Sequence, residues 1–418
     1  MKSYHHTERG VGIVFDDIVL VGGARTPFGD LGGSLARISP TDLGIIASRG
    51  ALEKTGTDPK SIDQAIIANI GQASYDAYFV GRHIGLYSGL PVGVPELQVQ
   101  RICASGLETI ITGAEQIMLG KADRVLCCGA ESMSLAPTAS FGNRMGYHLG
   151  QVVFKDMLWE ALDDTAAGYS MGQTGENVAE KYGITRADTD HFGWCSQDRA
   201  AKAQARGYFA PEITEVQSAT FTAEGLKPRT IRVGKKGTSV SKDEHIRPTT
   251  EEGLSGLPTS FRENGVQTAG NSAGIVDGAA SVIIASASAN HSASKPLAKI
   301  VAAASCGVDP KYMGIGPVPA IRLLLELTGL TMDKIDLVEI NEAFAAQVIA
   351  CERLLDLDHS KVNVNGGAVA LGHPLAATGT RLALTIARSL KERGLRYGIA
   401  SACIGGGQGT AMLIENIN

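Results

Sequence analysis

Four short segments of the sequence carry side chains whose types suit acyl-transfer chemistry. Each lies in a turn after a predicted strand: CASG at Cys103, NEAFAAQ at Asn341, GGAVALGHP at His373 and CIGGGQG at Cys403. A cysteine can act as the nucleophile, a histidine can accept its proton, and a second cysteine can exchange a proton with a carbanion. Each segment alone is equally compatible with a tight turn, a packed core residue or a helix cap.

Cys103 directly precedes a predicted helix, SGLETIITGAEQIMLG. The unpaired backbone N–H groups and the positive end of the helix dipole favour the thiolate, the nucleophilic form of cysteine. The same N–H groups can stabilise a developing oxyanion. Glycines 405–407 lack side chains, which lets backbone N–H groups and a substrate approach closely. Together the four segments predict carbon–carbon chemistry on a thioester.

The composition fits a large α/β enzyme. The chain has 418 residues, of which 44% are hydrophobic and 19% charged, which predicts two to three packed units. The net charge of −5 gives no basic surface for nucleic acid, and no apolar run is long enough for a membrane span. Seven cysteines without a C-x-x-C pair argue against disulfides or a metal site and favour the cytoplasm. Residues 1–17 lack the apolar core of a signal peptide.

Apolar strands alternate with amphipathic helices in the first and last thirds of the chain. Examples are the predicted strands QAIIANI, RVLCCGAES, GAASVIIASAS and AKIVAAASCGV, whose continuous apolar runs indicate sheets buried on both faces. The first helix is predicted to begin at a Thr41 or Asp42 cap. The middle of the chain is richer in charge and loops. The sequence thus predicts two similar α/β halves, residues 1–132 and 266–418, around a loop domain at 133–265.

From ARTPFG near the start to CIGGGQGTAM near the end, the sequence resembles the thiolases, the family of acetyl-CoA acetyltransferases and 3-ketoacyl-CoA thiolases. Segments such as GAESMSLAP, MGQTGENVAEKYGITR and TAGNSAGIVDGAA occur in the family's order and spacing. The resemblance implies a five-layered αβαβα thiolase fold, whose loop domain binds coenzyme A and makes oligomer contacts. It also implies a homodimer or homotetramer, in some members with a second protein subunit. Coenzyme A would be a substrate, with no metal or redox cofactor.

The resemblance assigns roles to the residues of the four segments. Cys103 would be acylated, and His373 would activate it and later deprotonate coenzyme A. Cys403 would protonate the departing acetyl-CoA enolate. One oxyanion hole would use His373 and a water held by Asn341, and a second would use the backbone N–H groups of Cys103 and Gly405. The implied reaction is the reversible exchange of 3-oxoacyl-CoA and CoA with acyl-CoA and acetyl-CoA.

Binding residues follow from the same resemblance. Arg247 of DEHIRP would lie beside the coenzyme A nucleotide. Three further residues would line the acyl and pantetheine pocket: Met171, Met313 and Phe344. The alternative for each is an ordinary surface or core position.

The sequence departs from the family pattern near the acyl site. Ser170 stands where many short-chain members have histidine, and Ala273 stands where the family has a serine that binds the pantetheine arm. After His373, Ala376 stands where the family usually has Gly, and Thr378 stands where Ser (or Thr) is usual. These departures predict an acyl group other than acetoacetyl: longer, branched, aromatic or carboxylated.

Three alternatives stay open. A biosynthetic acetoacetyl-CoA thiolase would share every catalytic residue. A decarboxylating 3-ketoacyl-ACP synthase would share the nucleophile but lack Cys403, and a non-catalytic acyl-CoA-binding subunit would have lost a site residue. Residues 1–17 precede the usual family start, and they could be a disordered tail, a lid or a partner contact.

Overall fold

Strands and helices alternate through the part of the chain that the computed structural model describes, residues 4–7, 10–234, 238–289 and 295–417. Its strands are β1 (Tyr4–Thr7), β2 (Gly10–Val14), β3 (Ile18–Arg25), β4 (Gly29–Asp30), β5 (Gln64–Ala68), β6 (Glu96–Gln98), β7 (Arg124–Glu131), β8 (Thr138–Ala139), β9 (Lys155–Asp156), β10 (Asp163–Asp164), β11 (Tyr169–Ser170), β12 (Val216–Gln217), β13 (Ala219–Phe221), β14 (Arg229–Ile231), β15 (Ser239–Val240), β16 (Val276–Ser286), β17 (Ala298–Gly307), β18 (Leu337–Ile340), β19 (Tyr397–Ile404) and β20 (Gln408–Asn416). Its helices are α1 (Pro40–Thr55), α2 (Val80–Tyr87), α3 (Ser105–Met118), α4 (Met157–Glu160), α5 (Met171–Tyr182), α6 (Arg186–Ala205), α7 (Glu251–Ser255), α8 (Pro317–Thr328), α9 (Ala345–Leu355), α10 (Ala368–Leu371) and α11 (Leu375–Arg393).

The long strands are hydrogen-bonded along one continuous path, which we divide at the short β17–β3 contact into two mixed sheets. The first has the order β3-β16-β7-β5-β6, and the second has the order β17-β20-β19-β18. Two residue pairs join β17 to β3, Ala298 with Leu20 and Lys299 with Val19. Strand β2 lies along the same edge of β17. The second sheet therefore gains its fifth strand from the N-terminus of the chain.

Helices cover both faces of each sheet, which gives five layers. Helices α1 and α2 pack on the outer face of the first sheet, and α8 and α9 on the outer face of the second. Helices α3 and α11 fill the layer between the sheets. All eleven residues of β16 are buried, as its continuous apolar sequence predicts. The predicted five-layered αβαβα arrangement is confirmed.

The two central helices touch at glycines. A Cβ atom on Gly106 would lie 2.4 Å from the backbone nitrogen of Thr380, and one on Gly379 would lie 2.2 Å from that of Leu107. Any side chain there would force the helices apart. This close approach puts the N-terminal ends of α3 and α11 side by side, and those ends carry Cys103 and His373.

Two details of the N-terminal region differ from the sequence predictions. Ser39 caps α1 by accepting a hydrogen bond from the Asp42 backbone N–H at 3.1 Å, so the predicted Thr41 or Asp42 cap is wrong. Both of those residues lie inside the first turn. A disordered tail is also wrong for residues 10–14, because β2 pairs with β17 along Ala302–Cys306. Its neighbour β1 pairs with β2 in turn.

The loop domain is built from α4–α7 and the short strands between them, and it packs on α9 and α10 through α5 and α6. Strand β16 follows it in sequence but lies between β3 and β7 in the first sheet. The boundary at residues 265/266 stays a prediction, with β16 on its C-terminal side. In the described ranges, no helix is long and apolar enough to cross a membrane.

Candidate active site

Cys103 lies in a single 3-10 turn, Ile102–Ala104, that runs directly into α3. Ile102 has a φ of 40°, which a β-branched residue rarely adopts. The Ser105 hydroxyl holds this turn, donating to the Ile102 carbonyl at 2.7 Å and accepting from the Arg101 N–H at 2.7 Å. The turn holds Cys103 with 7% of its surface exposed, at the base of a cavity.

Burial has the largest effect on the protonation state of the Cys103 thiol. It raises the pKa of the thiol to about 11, and the nearby Glu131 carboxylate acts in the same direction. The backbone N–H groups of Gly405 and of Cys103 itself oppose this rise in pKa. The backbone N–H groups thus favour the thiolate, as predicted, but loss of hydration outweighs them in the free protein.

His373 lies between α10 and α11, and its backbone N–H donates to the Gly274 carbonyl at 2.9 Å. Its Nδ1 is 2.6 Å from the Thr378 Oγ1, and that hydroxyl donates to the Pro374 carbonyl at 3.1 Å. Thr378 therefore accepts from Nδ1–H, which leaves a lone pair on Nε2 facing the Asn341 Nδ2 at 3.3 Å. Burial lowers the pKa of His373 to about 3, helped by repulsion from Arg381. The imidazole is a neutral base.

Asn341 and Cys403 lie behind the cavity wall and are fully buried. Asn341 follows β18, and its N–H donates to the Ser401 carbonyl at 2.8 Å. Its Oδ1 has no hydrogen-bond partner among the described residues. Cys403 lies in β19 opposite Gly409. Burial raises the pKa of its thiol well above the ordinary value, and repulsion from Cys103 adds to this rise. Both cysteines are free thiols.

One cavity of about 330 Å³ brings Cys103 and His373 together. Five of the predicted binding residues also line it: Ser170, Met171, Ala273, Met313 and Phe344. The rest of the wall is mainly apolar, with Met133, Leu158, Trp159, Leu162, Phe261, Ile275 and Leu375. Asp156 is the one charged side chain among the described lining residues, since His373 is neutral. The cavity suits an apolar group joined to a polar thioester.

Besides Asn341 and Cys403, three further predicted residues lie outside this wall. Gly405 lies in the turn between β19 and β20, from which its N–H reaches the Cys103 sulfur. Arg247 is exposed and does not line the cavity. Its guanidinium Nη2 is 3.4 Å from the His245 Nε2, and its contact with a nucleotide stays a prediction. Ala376 is fully buried and also does not line the cavity.

Sequence comparisons place the chain in a known family. Residues 18–288 match the thiolase N-terminal domain, and residues 294–416 match the thiolase C-terminal domain. The chain belongs to the thiolase family. The mitochondrial 3-ketoacyl-CoA thiolase of Bos taurus is 44% identical over 403 residues, 96% of this chain and 98% of that protein. The acetyl-CoA acetyltransferase of Syntrophomonas wolfei is 41% identical over 407 residues, 96% of this chain and 99% of that protein.

Solved thiolases share the architecture. The crystal structure of human mitochondrial 3-ketoacyl-CoA thiolase in complex with CoA superposes with a TM-score of 0.90 at 42% identity, covering 98% of each chain. In the described part of this thiolase, no group of three or more His, Cys, Asp or Glu side chains is placed to hold a metal ion.

Sequence reasoning missed the residues that hold the thiolase site in place. Thr378 enters the sequence analysis only as a departure, although it lies five residues after His373 and a local contact could have been predicted. Glu131 accepts hydrogen bonds from the backbone N–H groups of Gly71 at 2.9 Å and Ala376 at 3.1 Å. Glu342 accepts from Ser196, Asn363 and the Val369 N–H. The partners of both glutamates are mostly distant in sequence, so no local pattern indicated these contacts.

Proposed function

We propose that this thiolase catalyses the reversible exchange of a 3-oxoacyl-CoA and coenzyme A with an acyl-CoA and acetyl-CoA, in a degradative pathway such as β-oxidation. The observation that carries the proposal is that Cys103 and His373 open onto one apolar cavity, with the Gly405 N–H at the cysteine sulfur. Coenzyme A acts as a substrate.

The first half-reaction forms an acyl-enzyme. His373 Nε2 takes the Cys103 proton as the sulfur attacks the 3-oxo carbon. The backbone N–H groups of Cys103 and Gly405 stabilise the resulting oxyanion. The bond between C2 and C3 then breaks, and Cys403 protonates the acetyl-CoA enolate that leaves. Asn341, with a bound water, and His373 stabilise the enolate oxygen.

The second half-reaction transfers the acyl group to coenzyme A. The proton held by His373 first returns to the Cys403 thiolate, so both groups are restored. His373 then removes the proton of the coenzyme A thiol, whose sulfur attacks the acyl-enzyme carbonyl. Cys103 leaves as a thiolate and regains a proton from His373. The cycle consumes no oxidant, reductant or metal ion.

The cavity supports an apolar acyl group longer than acetoacetyl. Its wall of Met, Leu, Ile, Phe and Trp side chains favours aliphatic, branched or aromatic acyl chains. Among the described lining residues there is no cation for a carboxylated acyl chain, and Asp156 would repel such a chain. A biosynthetic preference for acetoacetyl-CoA is the second candidate, because acetyl-CoA acetyltransferases are also close relatives.

We extend the proposal to the nucleotide contact, the cellular location, the oligomeric state and the domain limits. We place Arg247 beside the coenzyme A nucleotide, because its guanidinium is exposed on the loop domain. We propose a cytoplasmic homodimer or homotetramer, with a second protein subunit only if the purified chain is inactive. The domain limits 1–132, 133–265 and 266–418 belong to the same proposal.

A thiolysis assay tests the proposal. Purified protein and CoA are combined with acetoacetyl-CoA and with aliphatic, branched, aromatic and carboxylated 3-oxoacyl-CoA esters. Cys103→Ala should abolish cleavage, whereas Cys195→Ala, which removes a half-exposed thiol outside the cavity, should leave it intact. Asp156→Asn should raise kcat/KM for carboxylated esters roughly fivefold, since one like charge at 4 Å costs about 1 kcal/mol in water.

Three results would contradict the proposal. Cleavage of an ester by Cys103→Ala would exclude an acyl-enzyme on Cys103. A preference for acetoacetyl-CoA over every larger ester would exclude the proposed class of acyl groups. If the folded wild-type protein cleaved none of the esters, the result would contradict the thiolase activity and favour a non-catalytic acyl-CoA-binding subunit.

A further inference from the structure

Cys195 differs from the other cysteines of the chain in its exposure. It lies on α6 and is half-buried, whereas the other six cysteines are buried. It is not among the residues that line the cavity, so the proposed thiolase chemistry gives it no role. A thiol that small reagents can reach reacts at a rate that depends on the charges around it.

Two imidazoles lie beside this thiol. His191 is one helical turn earlier on α6, and its Nε2 is 3.6 Å from the Cys195 sulfur. His359 lies in the short turn after α9. Its interaction with Cys195 raises the pKa of the imidazole to about 9, and a hydrogen bond with Glu352 acts in the same direction. His359 therefore carries a positive charge at neutral pH.

A carboxylate orients each of the two imidazoles. The His191 Nδ1 is 3.1 Å from the Glu251 Oε1, and the His359 Nδ1 is 2.8 Å from the Glu352 Oε1. Each glutamate accepts from Nδ1–H, which leaves the Nε2 atom for another group. The Nε2 of His359 is buried, and no residue in the described ranges completes a hydrogen bond to it. A negative charge on the Cys195 sulfur would supply the acceptor that this N–H lacks.

The fold holds His359 against the face of α6 that carries Cys195. The ring of Phe192 meets the His359 ring edge-on at 5.7 Å, and Arg199 donates to the His359 carbonyl at 3.2 Å. Phe192 and Arg199 are three residues before and four residues after Cys195, so all three share one face of the helix. The charged side chains that act on the imidazole are Glu352, which raises its pKa, and Arg199, which lowers it.

We propose that Cys195 is a redox-modification site, where a small hydroperoxide oxidises the thiol to a sulfenic acid. An imidazolium beside a thiol favours the thiolate, and the thiolate is the form that attacks a peroxide. The sulfur forms a bond to one peroxide oxygen as the O–O bond breaks, and the leaving hydroxide takes a proton from His359 to become water. The sulfur is oxidised and the peroxide is reduced, so the step needs no further reactant.

The test follows the cysteines of the full-length protein during treatment with hydrogen peroxide. Dimedone traps sulfenic acids, and peptide mass spectrometry measures the labelling rate at each cysteine. His359→Gln removes the positive charge and keeps a polar side chain. His83→Gln is the matched control, because His83 also pairs with a carboxylate, Asp76 at 2.8 Å, but lies on α2. Melting temperatures show whether each variant is folded.

We expect Cys195 to be labelled before the six buried cysteines. At pH 7, His359→Gln should slow its labelling roughly fivefold to tenfold, as loss of one neighbouring positive charge implies, whereas His83→Gln should leave the rate unchanged. The difference between wild type and His359→Gln should shrink above pH 9, where His359 loses its proton. Glu352→Gln, which removes the carboxylate that supports the imidazolium, should slow the labelling in the same direction.

Two outcomes would overturn the inference. Labelling of Cys103 or another buried cysteine ahead of Cys195 would mean that Cys195 is not the preferred site of oxidation. Equal labelling rates in wild type, His359→Gln and Glu352→Gln would mean that exposure alone explains the reactivity of Cys195. Neither readout uses thiolysis, so failure of this inference and failure of the proposed function are distinguishable.

Discussion

Thr378 should determine which ring nitrogen of His373 carries the proton, and the Thr378→Val variant tests this prediction. The residue is fully buried, and its Oγ1 accepts from the His373 Nδ1–H at 2.6 Å. Valine has nearly the same shape but cannot accept that hydrogen bond. Leaving a buried N–H unpaired costs about 1–3 kcal/mol, so kcat/KM for thiolysis should fall roughly tenfold to a hundredfold. The imidazole would also be free to move its proton to Nε2, where it cannot act as a base.

The chain offers a matched control for this variant. Thr380 is also fully buried on α11, and its Oγ1 donates to the Gly106 carbonyl at 3.1 Å, away from the imidazole. Thr380→Val should therefore lower stability as Thr378→Val does, while keeping kcat/KM within a few-fold of wild type. Thr378→Ser keeps the hydroxyl and should restore most of the activity. Equal kcat/KM in Thr378→Val and wild type would refute the assigned hydrogen bond and tautomer.

Two further predictions concern the nucleophile and the packing of the central helices. Because burial raises the pKa of the Cys103 thiol to about 11, its rate of alkylation by iodoacetamide should keep rising with pH beyond about pH 9. Peptide mass spectrometry measures the alkylation rate at this residue. A plateau in the rate near pH 7 would contradict the prediction. Gly106→Ala should lower the melting temperature and cost about 1–3 kcal/mol, because the new Cβ would lie 2.4 Å from the Thr380 backbone nitrogen. Gly85→Ala is the control, since its nearest neighbour atom is 3.5 Å away, and equal melting of the two variants would refute the packing argument.

The fold could be predicted where the local pattern and the tertiary environment agree. β16 reads as one apolar run, and it is buried along its whole length. Its position between β3 and β7 was not predictable, because the loop domain separates it in sequence from both partners. The same holds for β2. Its five residues have no strong strand pattern, and they form a strand because they pair with β17. Local sequence specifies elements, whereas strand neighbours depend on contacts between distant segments.

The site could be predicted as a set of residues, but its electrostatics could not. The segments around Cys103 and His373 indicated a nucleophile and a base. The helix N-terminus also suggested a thiolate, and here burial reversed the result. Burial is a property of the assembled layers: Cys103 is covered by packing against Met133 and Leu375, which lie far from it in sequence. A sequence shows which helix end carries the cysteine but not how much water remains there.

This reversal constrains the order of events in catalysis. Burial raises the pKa of Cys103 and lowers that of His373, so thiol and imidazole are both uncharged at neutral pH. A pre-formed thiolate–imidazolium pair would need to place two charges in a dry site, which is costly without further partners. In the proposed mechanism, the proton therefore leaves Cys103 as the sulfur attacks, when negative charge moves on to the substrate oxygen. The N–H of Gly405 already lies at that sulfur, where it opposes the rise in thiol pKa. In the proposed mechanism, the same N–H also stabilises the oxyanion.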